Sequence, residues 1–257
     1  MFPLRDNIPT SRPPVVTYAF IAANILIYFF WQQGGFSLSD PSSQHYLEQL
    51  ADYAAIPYEF THPGDHCELV DSSGAFACEG QPGVSGTADP QPPTLLTAFT
   101  AMFMHGGLLH LGGNMLFLWI FGNNVEDSMG PVKFVVFYLL GGLAAGALHV
   151  VTDVDSAVPT LGASGAIAAV LGAYLLLFPR ARVVTVIFII FFFTILELPA
   201  LLVLGAWFVL QFLSAYSDAS GGVAYFAHIG GFVFGLAAIK LFASRKRVER
   251  QTPFMRR

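Results

Sequence analysis

Ser164 stands between glycines in "TLGASGAIAAVLGAYLLLF" (160–178), at the head of a run that otherwise reads like a membrane helix. A serine hydroxyl is a weak nucleophile and reacts when a base lies within hydrogen-bond reach. A neutral imidazole serves as that base near pH 7, and "AHIGGFVFG" (227–235) supplies His228. Attack on an acyl carbon leaves an oxyanion that needs donors aimed at it. The Asn114 amide, the His110 imidazole and the backbone N–H of Ser164 are the candidates, the last because the first N–H groups of a helix have no intrahelical acceptor. Each residue alone has a plainer reading. A serine flanked by glycines packs helices more often than it reacts, and the GxSxG pattern is not matched, since Ala166 replaces its last glycine. The chemistry therefore depends on whether the elements bring these side chains together.

Those elements lie in lipid. The 257 residues are 54% hydrophobic and 11% charged, with a mean hydropathy of +0.60, and several runs approach or exceed the ~18 apolar residues that mark a membrane helix. The composition excludes a soluble α/β-hydrolase, and no basic patch points to nucleic acid. The pattern predicts an all-α polytopic membrane protein, a bundle of six transmembrane helices with a long outer loop between the first and second spans. The spans fall at about 15–32, 100–122, 133–151, 162–178, 199–216 and 223–243. The first follows Arg5 and Arg12, is long and aromatic, and leads into "WQQGGF" rather than a small-residue cleavage site, so it reads as a retained span and not as a signal peptide.

Charge sets the orientation. With residues 1–14 and the basic tail 244–257 both cytoplasmic, all 12 Lys and Arg residues fall on the cytoplasmic side and none on loop 33–99, the loop near 152–161 or the loop near 217–222. A bacterial plasma membrane is the expected location. The apolar run 183–196 would, joined to 199–216, make a helix of about 50 Å at 1.5 Å per residue, against a hydrocarbon core of about 30 Å. "ELP" (197–199) breaks it, and 183–196 reads as an interfacial or re-entrant segment. Loop 33–99 is acidic and holds the only two cysteines, Cys67 and Cys78. An outside location permits a disulfide between them. A zinc site with His62 and His66, or two free thiols, stays open, although the spacings match no zinc pattern.

This orientation gives the polar residues their depths. His110 and Asn114 in the second span, Ser164 at the start of the fourth, and His228 roughly 8 Å into the sixth at 1.5 Å per residue all lie in the outer half of the membrane, where a polar group calls for a functional explanation. His110 and Asn114, four apart, share one helix face. His228, Gly231 and Gly235 form a stripe that lets a neighbouring backbone approach closely. Gly165, Ala168 or Ala169, and Gly172 offer the fourth span's matching small surface. Packing of these two spans would carry His228 towards Ser164. His105 and His149 read as structural.

At these residues the sequence resembles the rhomboid family of intramembrane serine proteases. The likeness runs from about Thr97 to Leu241 and rests on "HGGLLHLGGNMLFLWIFGNNVED" (105–127), "GASGA" (162–166) and "AHIGGFVFG" (227–235), in this order. It implies a six-span core (100–243) opening to the outside, with Ser164 as nucleophile, His228 as base and no third acid. It also implies that His110 and Asn114 stabilise the oxyanion, that Gly162 is the glycine preceding the nucleophile, and that Glu126 is a structural acid. Transmembrane proteins would be its substrates and the lipid bilayer its environment, with no cofactor and no metal. Two features depart from the family pattern. Ala168 stands where many relatives carry an aromatic that stacks on the base, and loop 33–99 lacks the Trp-Arg pair of some relatives. Two other readings compete: a rhomboid-like protein that binds membrane helices without cutting them, and a transporter using its histidines as a proton relay. The second lacks the internal repeats and paired intramembrane acids such a relay would show.

Overall fold

A computed structural model describes residues 2–39, 41, 43–70, 75–189, 192–217 and 223–251. Residues 218–222 of the loop near 217–222, and Arg256 and Arg257 of the basic tail, lie outside them. Strand β1 (Phe2–Asp6) leads to helix α1 (Val15–Leu26), which continues through a π-helical turn (Ile27–Trp31). Loop 33–99 holds α2 (Gln44–Tyr53), α3 (Pro57–Thr61), a small hairpin of β2 (Cys67–Leu69) and β3 (Phe76–Cys78), and the start of α4 (Thr94–Thr100). Next come α5 (Leu108–Phe117), a π-helical turn (Leu118–Gly122) and α6 (Asn123–Met129), then α7 (Pro131–Thr152) and α8 (Ser164–Leu177). A second hairpin, β4 (Arg182–Ile189) and β5 (Phe192–Pro199), precedes α9 (Ala200–Ser217), α10 (Tyr225–Phe242) and α11 (Arg245–Gln251).

The architecture is mostly helical rather than all-α. Segment 183–196, expected as an interfacial or re-entrant segment, is built of strands: β4 and β5 pair antiparallel from Arg182↔Pro199 to Ile189↔Phe192, and β1 adds to β4 as a third strand. Its sequence, "VVTVIFIIFFFTIL", is built from β-branched and aromatic residues that favour strands. The expected helix from residue 100 is also interrupted. Thr94–Phe103 and Leu108–Met129 meet at 80°. The turn between them needs Gly107, whose φ is +139° and where a Cβ would lie 2.6 Å from the Ser39 carbonyl oxygen. Gln32 holds this turn, its Oε1 accepting from His105 N–H at 2.9 Å and its Nε2 donating to the His105 carbonyl at 3.3 Å.

By length and composition, α7, α9 and α10 can each cross a membrane, and the bent pair 94–129 makes a fourth; Val15–Trp31 and Ser164–Leu177 are apolar but shorter. At the centre lies α8, buried without interruption from Gly165 to Tyr174. Phe178, just before Pro179, ends it. α10 packs along α8 at backbone contact. A Cβ on Gly231 would collide with the Gly165 carbonyl, one on Gly235 with that of Ala169, and one on Gly172 with that of Phe232. On the third side Gly141 of α7 leaves room only for the Ala169 methyl. In lipid, where helix association rests on packing, such small-residue seams hold helices together.

Polar anchors fix the other end of the bundle. Glu126 accepts from the backbone N–H groups of Val16 at 3.0 Å and Thr17 at 2.8 Å and from the Thr17 hydroxyl at 2.8 Å. A carboxylate so placed satisfies the free N–H groups and the positive dipole end of α1. Asp6 of β1 takes hydrogen bonds from Tyr174 of α8 and, at 2.7 Å, from the Asn124 amide. Burial raises the Asp6 carboxyl from 3.8 to about 6, the Tyr174 bond offsetting part of the desolvation. The folded state thus holds this proton more tightly than the unfolded chain does. Its stabilising contribution is complete below pH 3.8 and is lost as the pH rises through about 6. In detergent, the melting temperature of the parent should therefore fall more steeply across that window than that of Asp6→Asn. Parallel pH dependences for the two proteins would contradict the burial of this group.

Candidate active site

Ser164 is the first residue of α8, and His228 sits one turn into α10. His228 Nε2 lies 2.8 Å from Ser164 Oγ. This distance follows from the seam: Gly231, three residues beyond His228, sits over the carbonyl of Gly165, the residue after Ser164. With a proton on Nδ1, Nε2 presents a lone pair to the hydroxyl, the arrangement a base needs to take its proton.

The approach to Ser164 is as constrained as the helix itself. Gly162 has φ +122°, and a Cβ there would meet His110 Nε2 at 2.7 Å, so only glycine lets the imidazole lie against the turn. The backbone of Gly162 is tied to Ala101, whose carbonyl accepts its N–H at 2.8 Å. Two residues earlier, Thr160 exchanges backbone hydrogen bonds with Ala55 at 2.8 and 3.0 Å. Loop 33–99 thus holds the segment that delivers the serine. Within it, Cys67 and Cys78 face each other across β2 and β3 and are joined by a disulfide, which removes Cys67 from any metal set with His62 and His66.

His110 and Asn114 lie one turn apart on α5. His110 Nδ1 accepts from Gly106 N–H at 3.3 Å, which in the neutral ring leaves the proton on Nε2, the nitrogen beside Gly162. Asn114 is buried, and its Nδ2 has no hydrogen-bond partner among the described residues. Both residues, with Ser164 and His228, line one cavity of about 790 Å³. Tyr46, Leu47 and Leu50 of α2 line it from the loop side. A pocket with a paired hydroxyl and imidazole, lined also by an imidazole and an amide that can donate, suits addition to a carbonyl carbon and stabilisation of the resulting oxyanion. His105, read as structural, is buried with its ring centroid 5.1 Å from that of His110.

The family model for the rhomboid domain matches residues 92–245. The chain belongs to the rhomboid family. Among rhomboid relatives, Rhomboid protein 1, mitochondrial, of Saccharomyces cerevisiae is 31% identical over 52% of this chain and 38% of its own length. Presenilin-associated rhomboid-like protein, mitochondrial, of Mus musculus is 31% identical over 56% of this chain and 36% of its own length. Rhomboid protease GluP of Bacillus subtilis is 28% identical over 63% and 24%. The matched region thus spans only about a quarter to two fifths of these relatives. The protein is a polytopic membrane protein of this family. Two of the three relatives are mitochondrial by name, so the comparisons lend no support to a bacterial plasma membrane.

The aromatic that the family pattern places on α8 is absent, since residue 168 is alanine. Ala168 lies in the α8–α10 seam, where a Cβ on Gly231 would stand 3.2 Å from the Ala168 methyl. The rings near His228 come from elsewhere: Trp207 of α9, with centroids 5.8 Å apart, and Tyr225 at 6.4 Å. α9 also places the Gln211 side chain 2.7 Å from His228 Nδ1. Neither Trp207 nor Gln211 was marked by sequence reasoning. A signal for Gln211 existed, since it is an amide in the middle of an otherwise apolar span.

The seam itself can be tested away from the chemistry. Gly235 is two turns from His228 and does not line the cavity. Gly235→Val forces α10 off the Ala169 carbonyl, and a shift of about 1 Å in a reacting pair costs on the order of a hundredfold. Labelling of Ser164 by a fluorophosphonate should accordingly slow by about ten- to a hundredfold. Gly205→Ala in α9, where nothing lies within 4 Å, should leave it unchanged. Equal labelling of Gly235→Val and parent would show that the seam does not set the Ser164–His228 distance.

Proposed function

We propose that the protein is an intramembrane serine endopeptidase that cleaves transmembrane proteins near the outer boundary of the membrane. The observation that carries this reading is the 2.8 Å contact between His228 Nε2 and Ser164 Oγ within a cavity that His110 and Asn114 also line. Ser164 Oγ attacks the scissile carbonyl carbon while its proton passes to His228 Nε2. The oxyanion accepts hydrogen bonds from His110 Nε2–H, the Asn114 amide and the Ser164 backbone N–H. His228 then gives the proton to the leaving amine, and the C–N bond breaks. A water molecule, deprotonated by the same imidazole, cleaves the acyl-enzyme ester and regenerates the hydroxyl.

The topology that supports this chemistry has six spans. Val15–Trp31 and Ser164–Leu177 join the bent pair 94–129 and α7, α9 and α10 as membrane-crossing elements. Both termini, Glu126 and the β4–β5 hairpin lie on the inner side, and loop 33–99 on the outer side above the cavity. Residues 100–243 form the catalytic core. A short span such as α8 begins below the outer surface, so its N-terminal serine can be reached by water from outside. A substrate helix must open locally there, because its own hydrogen bonds shield the peptide groups. Helix-breaking residues near the cleavage site favour that opening.

Reconstituted with a transmembrane substrate, the parent should cleave near the outer boundary. Ser164→Ala and His228→Ala should not, although they remain folded in detergent. Asn114→Ala should lower kcat by on the order of a hundredfold, as loss of one oxyanion donor does elsewhere, with a smaller change in KM. Cleavage by Ser164→Ala at the parent's rate would overturn the proposal. Substrate binding by the parent without any cleavage would instead favour a membrane-helix binding protein.

A further inference from the structure

The base of a serine hydrolase must present the correct nitrogen. His228 has two, and Nε2 accepts the serine proton only if the ring's own proton sits on Nδ1. In this structure the atom facing Nδ1 is Gln211 Oε1, at 2.7 Å. A carbonyl oxygen can only accept, so this contact places the ring proton on Nδ1 and leaves the Nε2 lone pair directed at Ser164, 2.8 Å away. We infer that Gln211 is the third member of a Ser164–His228–Gln211 triad, a positioning residue that sets the tautomer and the rotation of the base. The inference rests on the reading of the site as a serine protease.

Three observations support this role. The α8 position from which an aromatic would restrain the base is Ala168, whose methyl offers no ring to stack on the imidazole, so the support must come from another element. The Trp207 ring, one turn before Gln211 on the same helix, lies beside the His228 ring at an interplanar angle of 38°. α9 therefore offers both a flat support and a hydrogen-bond acceptor. Finally, α9 is otherwise bare: its buried residues, Ala200, Val203 and Leu204, all lie in its first turn and a half, while Val209, Leu210, Phe212 and Leu213 around Gln211 are exposed. A polar amide on such a surface is costly in lipid unless it has a partner, and that partner is the imidazole. The acceptor is a neutral amide. It fixes the tautomer without the charge by which a carboxylate would stabilise the imidazolium. The other titratable groups facing His228 are His110 from α5 and His149 from α7, with Asp153 lining the same cavity.

The test uses the full protein in vesicles with a transmembrane substrate, reading kcat and KM across pH. Gln211→Leu keeps the volume and removes the acceptor, and kcat should fall by about ten- to a hundredfold, part of the general-base contribution, with KM within about twofold. Gln211→Glu restores an acceptor and adds charge. It should recover most of kcat and displace the acidic limb of the kcat/KM profile upward by about one pH unit, because a carboxylate favours the imidazolium. Leu210→Ala on the exposed face of α9 controls for disturbance of the helix. An unchanged kcat in Gln211→Leu, or a Gln211→Glu profile superimposable on the parent's, overturns the triad while leaving the protease reading intact. Undiminished cleavage by Ser164→Ala, run in parallel, overturns that reading instead.

Discussion

Everything in this structure that could do chemistry depends on two helices touching at their backbones. α8 and α10 meet where Gly231, Gly235 and Gly172 leave no room for a Cβ; Gly231 lies against the carbonyl of Gly165, the neighbour of Ser164, and His228 stands one turn before Gly231. In water such a seam would compete with burial of larger side chains. In lipid, where apolar side chains gain little by leaving one apolar medium for another, close packing of small residues is what holds helices together. One sequence feature thus stabilises the bundle and sets a distance of 2.8 Å between a hydroxyl and an imidazole.

The remaining constraints converge on the same point from outside the seam. Gly162 yields space to the His110 ring, the His110 Nδ1 contact with Gly106 N–H leaves the ring proton on Nε2 beside Gly162, and the Gln32 clamp on His105 holds the turn from which α5 starts. Loop 33–99, stapled by Cys67–Cys78, pairs with Thr160 and so reaches the segment that ends in Ser164. At the far end, Glu126 and Asp6 tie α1 and β1 to the core. Several buried polar atoms of the bundle have no partner among the described residues, both His105 ring nitrogens and the Tyr138 hydroxyl among them. Asn114 Nδ2 is another, and Asn114 lines the cavity; an incoming oxyanion would supply its acceptor.

How much of this was legible depends on whether the signal was a property of residues or of geometry. Ser164, His228, His110 and Asn114 stood out because polar side chains within apolar runs are expensive, and the glycine stripe on 228–235 pointed to the helix pair that joins two of them. The β4–β5 hairpin was missed because an apolar run of that length reads equally as a helix or as two strands; its β-branched and aromatic content was the available discriminator. The 80° break before α5 is not legible in the sequence, because a glycine within an apolar run does not by itself mark a turn, and only the approach of the Ser39 carbonyl shows why Gly107 is needed. Gln211 was passed over although the rule that selected the histidines applies to it as well. With alanine at 168, the open question is what orients the base, and the proposed answer lies on α9, a helix from which the sequence reading took no site residue.

The central claim is that Ser164 and His228 act as one reactive unit. The most direct measurement is peptide mass spectrometry after reaction of the membrane-reconstituted protein with a mechanism-based chloroisocoumarin, which acylates a reactive serine and then traps a neighbouring nucleophilic nitrogen. The account predicts a single doubly attached adduct linking the Ser164 and His228 peptides, absent from Ser164→Ala. An adduct on another residue, or no adduct in a protein that remains folded, would contradict it.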